Sequence, residues 1–264
     1  MVTSHWVLLL IGLGLAEAIF LPLYVLQLRT GDATVVDAGW AVTLALLAAL
    51  YAALGPGCLA YRILVAVTAG PAYLRVASVV LRRVGHGEDG RYRDLRAKWT
   101  ERGGAQRRFF VFYQAQAVLA LGLSAPFLLA CFDRHQGLQP AAWAGAALWV
   151  VSAAGEALAD RQLRRFKADP SNEGKTMRYG LWRYSRHPNY FFQWTSWVAY
   201  ALIASQAPWG WLGWISPALI LYLILFVTGI PPSEEQALRS RGDDYRRYQR
   251  ETSPFVPWFP RAGN

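Results

Sequence analysis

Long apolar segments are the feature that most limits what this sequence can fold into. Several carry about 18 to 24 residues with little or no charge, the length that a helix needs to cross roughly 30 Å of hydrocarbon. Because lipid offers the backbone no hydrogen-bond partners, each crossing segment must be helical. The sequence therefore predicts an all-α membrane protein with about seven transmembrane helices.

The predicted spans cover residues 6–28, 36–54, 59–81, 109–132, 143–159, 190–207 and 211–228. The third contains Gly70-Pro71, which we expect to interrupt and kink its helix. The fifth is expected to continue as a polar helix through Lys167. The first span lacks a positively charged leader before it, so we interpret it as a membrane helix rather than a cleaved signal. We treat residues 1–264 as a single transmembrane domain.

The positive charge lies in the segments that connect the spans. The formal net charge is +10, and Lys and Arg collect after the third, fifth and seventh spans. This distribution predicts an outer N-terminus and a cytoplasmic C-terminus, and it favours contact with membrane lipids over nucleic acid. The two cysteines, Cys58 and Cys131, show no zinc-site spacing, so no metal site is expected.

The first polar candidate region follows the fifth span. Glu156, Asp160, Arg164 and Lys167 are spaced so that all four lie on one face of a helix. A self-satisfied salt-bridge ladder would explain this spacing. However, a carboxylate near the hydrocarbon edge is costly unless it faces the bundle interior, and this favours a functional role.

The second region, residues 180–190, precedes the sixth span. Pro188 suits the first turn of that helix. A helix N-terminus flanked by arginines favours an anion such as phosphate. The candidate binding residues here are Tyr184, Arg186, His187, Asn189 and Tyr190.

The third region follows the seventh span and contains Glu234, Glu235 and Tyr245. An amphipathic interfacial helix explains most of its charges. The two adjacent glutamates require basic partners, for which Arg246 and Arg247 are candidates.

Two further groups of polar residues lie earlier in the chain. Asp37 opens the second span, where hydration at the inner interface and a functional role are equally open. A second group follows the third span: His86, Glu88, Asp89, Arg91 and Tyr92.

Three runs carry a family resemblance: ADRQLRRFKADPSNEGK (159–175), GLWRYSRHPNYFFQW (180–194) and GIPPSEEQAL (229–238). With DDYRRYQRETSPFVPWFP (243–260), GHGEDGRY (85–92) and FFVFYQAQA (109–117), they resemble the steroid 5-alpha-reductase superfamily, in its largely bacterial branch of unknown function. The resemblance covers residues 36–260 and is most specific from Glu156 onward.

The resemblance implies an NADPH-dependent membrane reductase that saturates a carbon–carbon double bond in a lipid-soluble, steroid-like or isoprenoid-like substrate. Residues 1–135 would line the substrate cavity and 136–264 would bind NADPH, in a bacterial inner membrane rather than the endoplasmic reticulum. The implied cofactor-binding residues are Glu156, Asp160, Arg164, Lys167, Tyr184, Arg186, His187, Asn189, Tyr190, Glu234 and Tyr245. Asp37 and Tyr73 are the nearest catalytic candidates. The oligomeric state is left open.

The sequence departs from the family at two points. Gln193 stands where an acidic residue usually follows the Asn-Tyr motif, and the second span has no Gln-Glu pair, so steroid as the substrate is not supported. The RHPNY core and a downstream Glu-Glu pair also occur in membrane methyltransferases of the isoprenylcysteine and phospholipid type, which use S-adenosylmethionine. A transporter is a third possibility, although few ionisable residues lie at mid-span, Glu17 and Arg75 being the main ones.

Overall fold

The computed structural model describes residues 1–82 and 87–261, and these ranges contain helices and no strands, which confirms the all-α fold. The chain divides into two compact units. The first comprises Met1–Gln139 and Ala204–Gly213, and the second comprises Pro140–Ile203 and Trp214–Asn264.

The first unit contains six α-helices in its described residues. They are α1 (His5–Thr30), α2 (Val35–Leu54), α3 (Leu59–Leu81), α4 (Gly90–Glu101), α5 (Ala105–Leu123) and α6 (Ala125–Ala130). Helix α3 has the bounds predicted for the third span, but the predicted interruption at Gly70-Pro71 is wrong, because the helix continues through both residues; a kink there stays a prediction. A membrane helix tolerates proline where neighbouring groups satisfy the freed carbonyl.

The second unit contains the remaining α-helices: α7 (Pro140–Ala168), α8 (Pro188–Ala204), α9 (Ile215–Tyr222) and α10 (Ile230–Glu251). Short 3-10 helices at Pro170–Asn172 and Gly180–Arg183 connect α7 to α8, and a π-helical turn, Leu223–Val227, follows α9. As predicted, α7 extends past Lys167 and α8 begins at Pro188.

In the described residues, six helical segments are long and apolar enough to cross a membrane. The difference from the seven predicted spans lies in the sixth, which is α8 and has only 17 residues. The last segment, Gly210–Glu251, joins an apolar part to the polar helix α10. The orientation of the ends in the membrane stays a prediction.

Small residues allow α7 and α8 to approach closely. A methyl group added at Gly155 would lie 2.5 Å from the ring of Phe192, so only glycine fits there. Further along the same pair of helices, Ser152 and Thr195 share a hydrogen bond of 2.8 Å between their hydroxyls. This packing holds the polar end of α7 near the beginning of α8.

Candidate functional site

A half-buried carboxylate, that of Glu234, lies at the centre of the polar residues of the second unit. Arg186 donates from Nε to Glu234 Oε1 over 2.6 Å, and His187 Nε2 lies 3.3 Å from the same oxygen. Gln249 donates to Oε2 over 2.8 Å, and the Tyr245 hydroxyl donates to Oε1 over 3.4 Å. These five residues form the Glu234 cluster, in which both carboxylate oxygens are occupied by partners from the chain itself.

The residues of the Glu234 cluster shift one another's pKa values. Burial alone would raise the pKa of Glu234, but the hydrogen bonds from His187 and Arg186, the Arg186 charge and the bond from Gln249 outweigh it and lower the pKa to about 2. Burial and the Glu234 charge raise the pKa of Tyr245, so its hydroxyl stays protonated and available to donate. Glu234 is therefore an anion with protein partners at neutral pH.

Arg186 also ties the beginning of α8 to the C-terminal segment. Its Nη1 donates to the carbonyls of Gln249 and Thr252 over 2.9 and 2.7 Å, and its backbone amide donates to the Ser253 carbonyl over 2.8 Å. The neighbouring Ser185 hydroxyl donates to the Phe255 carbonyl over 2.7 Å. The Glu234 cluster thus connects the beginning of α8 to α10 and to residues 252–255.

The first turn of α8 contacts α7 and α10. Asn189 Nδ2 donates to Asp160 Oδ1 over 3.3 Å, which connects the polar face of α7 to the RHPNY motif. The Tyr190 hydroxyl and the Ser233 hydroxyl lie 3.0 Å apart, and the Tyr190 ring stacks on His187 with a centroid distance of 5.4 Å. The structure therefore brings Asp160, Asn189 and Tyr190 together.

An open cavity of about 720 Å³ lies beside these residues. Lys167, Lys175 and Arg241 contribute cationic side chains to its wall. Its other polar lining residues are Asp169, Asn172, Glu173, Ser233, Gln236 and Ser240. The two acids are fewer than the three cations, and the Asp169 carboxylate accepts from the Ser171 amide, so this cationic cavity suits a polyanionic ligand.

Three further predicted cofactor residues are Glu156, Arg164 and Tyr184. Glu156 is half-buried on α7, and Arg164 is exposed further along the same helix. Tyr184 is exposed and packs edge-on against Phe259, with a centroid distance of 6.1 Å. Contact of these residues with a cofactor stays a prediction.

The partners expected for the two adjacent glutamates are wrong. Arg186, 48 positions away, holds Glu234, and Arg239 pairs with Glu235 over 2.5 Å at the i,i+4 spacing of a helix. Arg246 instead pairs with Asp243, and Arg247 pairs with Glu251. Helical spacing would have identified Arg239, whereas the contact with Arg186 depends on tertiary packing.

Asp37, a catalytic candidate in the first unit, is held by α4. The Tyr92 hydroxyl donates to Asp37 Oδ1 over 2.5 Å, and Arg91 donates to Oδ2 over 2.7 Å. Burial, together with the charge of Asp37 and its hydrogen bond, raises the pKa of Tyr92. These contacts support a structural role for Asp37 in fastening α4 to α2.

A second ion pair beside Asp37 was missed by the sequence analysis. Arg96 forms two hydrogen bonds with the Glu88 carboxylate, over 3.0 and 2.7 Å, and the Ala33 amide donates to the same carboxylate over 3.0 Å. Asp89 caps α4 and receives a hydrogen bond from Arg91. His86 and the first residues of the GHGEDGRY run lie outside the described residues.

Tyr73, the other catalytic candidate, lies on α3 among aromatic rings. It is buried, with Trp40 edge-on at 6.0 Å and Phe127 at 6.2 Å between ring centroids. Trp40 lies one turn after Asp37 on α2, so the two candidates occupy one region of the first unit. Neither catalytic role is tested by these contacts.

The fold and its polar site define a multi-pass integral membrane protein. Within that class, the chain belongs to the DUF1295 family of proteins of unknown function, whose model matches residues 23–252. No curated protein matches the chain. No solved structure matches it either.

Proposed function

We propose that this protein is an NADPH-dependent membrane reductase of a carbon–carbon double bond in a lipid-soluble substrate. One face of α7 carries the proposal. On this face Asp160 contacts Asn189. Lys167 lies seven residues further along the same face and lines the cationic cavity. Seven helical residues correspond to about 10 Å, so one extended ligand can reach both points.

The residues of the second unit fit the chemistry of NADPH. Its pyrophosphate and 2′-phosphate need charge-assisted donors, which Lys167, Lys175 and Arg241 offer on the cavity wall. Ser233 and Gln236 add neutral hydrogen-bonding groups on the same wall. DUF1295 proteins are linked to steroid 5-alpha-reductase-like proteins, which is consistent with this cofactor.

Bound NADPH would supply a hydride for reduction of the substrate. The protein's part is to bind and orient the cofactor. The Asp160–Asn189 contact fixes the direction of the Asn189 amide beside α7, and the Glu234 cluster fixes the first turn of α8 that carries it. Tyr73 carries a hydroxyl that can donate a hydrogen bond to a substrate carbonyl, whereas the Asp37 carboxylate accepts from Tyr92 and Arg91.

Ligand-induced thermal stabilisation tests this function. Detergent-purified protein is heated with NADPH, NADH or S-adenosylmethionine, since a ligand of the folded state raises the unfolding temperature by mass action. We expect NADPH to stabilise most strongly and Asn189→Ala to remove much of that shift. Stabilisation by S-adenosylmethionine alone would replace the reductase proposal with methyl transfer.

A further inference from the structure

A groove in the first unit runs along one face of α5 and plays no part in the proposed reduction. Its volume is about 590 Å³. Gly104, Arg107, Arg108, Val111 and Ala115 line it along α5, and Trp99 of α4 forms part of its wall. These positions recur every three or four residues, so they form a continuous stripe about 16 Å long.

The polar end of the groove is cationic. Arg107 and Arg108 are both exposed, and within the described ranges neither guanidinium has a hydrogen bond or an ion pair. The arginines of the neighbouring helix behave differently, because Arg91 pairs with Asp37 and Arg96 pairs with Glu88. Two adjacent unpaired guanidinium groups fit an anion such as a phosphodiester.

The backbone at this corner adds to the positive potential. Gly103 and Gly104 both adopt the left-handed conformation, with φ of 71° and 74°, and turn the chain from α4 into α5. Gly104 is the N-cap of α5 and provides no side chain to cap the first amides. The positive end of the helix dipole therefore points toward the same place as the two arginines.

The other end of the groove is apolar. Val111 is 59% exposed and Ala115 is also exposed, while the Phe112 ring contacts the Trp99 ring with a centroid distance of 6.2 Å. Lipid contact is ordinary for a transmembrane helix. A concave apolar wall directly below an arginine pair is more specific, because it matches an acyl chain below a charged headgroup.

We propose that this groove is a binding site for one anionic phospholipid, with its phosphate between Arg107 and Arg108 and an acyl chain along Val111 and Ala115. The charge complementarity and the order of the polar and apolar parts along α5 both favour a lipid over a soluble anion. This site is independent of the proposed reductase activity.

The test is lipid binding to the delipidated full-length protein in detergent, with native mass spectrometry to count bound lipids. We expect one phosphatidylglycerol to bind more tightly than phosphatidylcholine. Arg107→Gln/Arg108→Gln should weaken phosphatidylglycerol binding by about 30-fold, from the loss of two arginine contacts near a lipid headgroup. Arg161→Gln/Arg165→Gln, with the same charge change on exposed residues of α7, should change it by less than about twofold.

Two further arms separate a lipid from a free anion. Ala115→Trp keeps both arginines and fills the apolar end, so it should weaken phosphatidylglycerol binding and provides the test if the double arginine variant does not fold. Inorganic phosphate at the same concentration should not stabilise the protein. Equal binding of phosphatidylcholine, equal loss in the α7 control, or stabilisation by phosphate that the double arginine variant removes would each overturn the proposal.

Discussion

The Glu234 cluster and the cationic cavity lie in the same unit, but they differ in whether their charged side chains have partners within the protein. Glu234 is largely buried and accepts hydrogen bonds from four side chains. Lys167 and Lys175 are exposed, and in the described part of the chain neither side chain has an acidic hydrogen-bond partner. Both groups contain residues that the family resemblance assigns to cofactor binding.

The contrast separates residues that hold the fold from residues that are available to a ligand. A buried ion pair that loses one member leaves an uncompensated charge, so its removal strongly destabilises the protein. An exposed cation without a partner contributes little to stability, and its charge remains free to bind an anion. We therefore expect the two regions to respond differently to mutation.

The largest effect is expected for Glu234→Ala. It leaves Arg186 and His187 without their carboxylate, and the free energy of unfolding should fall by about 3–5 kcal/mol, as for other buried pairs that lose one partner. Thermal or denaturant unfolding in detergent measures this. Glu235→Ala is the matched control, because Glu235 and Arg239 are both mostly exposed and their pair is expected to contribute about 0.5 kcal/mol or less. An equal loss of stability for the two variants would contradict the stabilising role assigned to Glu234.

The second prediction concerns acid stability. Glu234 has a pKa of about 2 in the folded protein, below its ordinary value of 4.5. Its carboxylate therefore stabilises the fold above about pH 4.5, and this contribution, about 3 kcal/mol in full, is lost as the pH falls toward 2. Unfolding temperatures between pH 7 and 3 should decline less steeply for Glu234→Gln than for the wild type. An equally steep decline of the unfolding temperature in the two proteins would contradict the lowered pKa of Glu234.

A smaller effect is expected for Asp37→Asn in the first unit. The substitution keeps the shape of the side chain but removes its charge. It therefore weakens the two hydrogen bonds that the Asp37 carboxylate accepts from Arg91 and Tyr92. Because Arg91 is half-exposed, we expect a loss of about 1 kcal/mol. Asp94→Asn, on an exposed residue of α4, is the control. An unchanged unfolding temperature with complete loss of reduction would instead indicate that Asp37 acts in catalysis.

The smallest effect on stability is expected in the cationic cavity. Lys167→Gln and Lys175→Gln should each change the free energy of unfolding by no more than about 0.5 kcal/mol, as is usual for exposed side chains. The same unfolding measurements, made without ligand, check this. A loss of several kcal/mol would show that these lysines stabilise the fold, as the Glu234 cluster does, and would contradict the proposed difference between the two regions.

The transmembrane helices were predictable because burial in lipid imposes long apolar segments. Helix α4 was missed because charged residues dominate positions 90–101, although Tyr92, Leu95 and Trp99 recur at helical spacing and pack against one core cluster. Asp89 before the first turn, which caps the helix, was a second local signal. Helix α8 was predicted at nearly the right place, but its 17 residues make it shorter than the predicted span.

The composition of the site was easier to predict than its contacts. The spacing of Asp160 and Lys167 on one helix face follows from helical geometry, and Pro188 marks the beginning of α8. The bond between Arg186 and Glu234 joins residues 48 positions apart, and no local pattern contains that information. Lys175 and Arg241 were not selected as ligand residues, because the cavity that they share exists only after folding.

The affinity for NADPH tests the account most directly. Dissociation constants for NADPH would be measured for the wild type, for Lys167→Gln/Lys175→Gln/Arg241→Gln, and for Arg161→Gln/Arg165→Gln as the control on exposed arginines. We predict that the triple variant binds NADPH at least about tenfold more weakly while it unfolds at nearly the wild-type temperature, and that the control binds as the wild type does. Unchanged NADPH affinity in the triple variant would contradict the assignment of the cationic cavity to the cofactor.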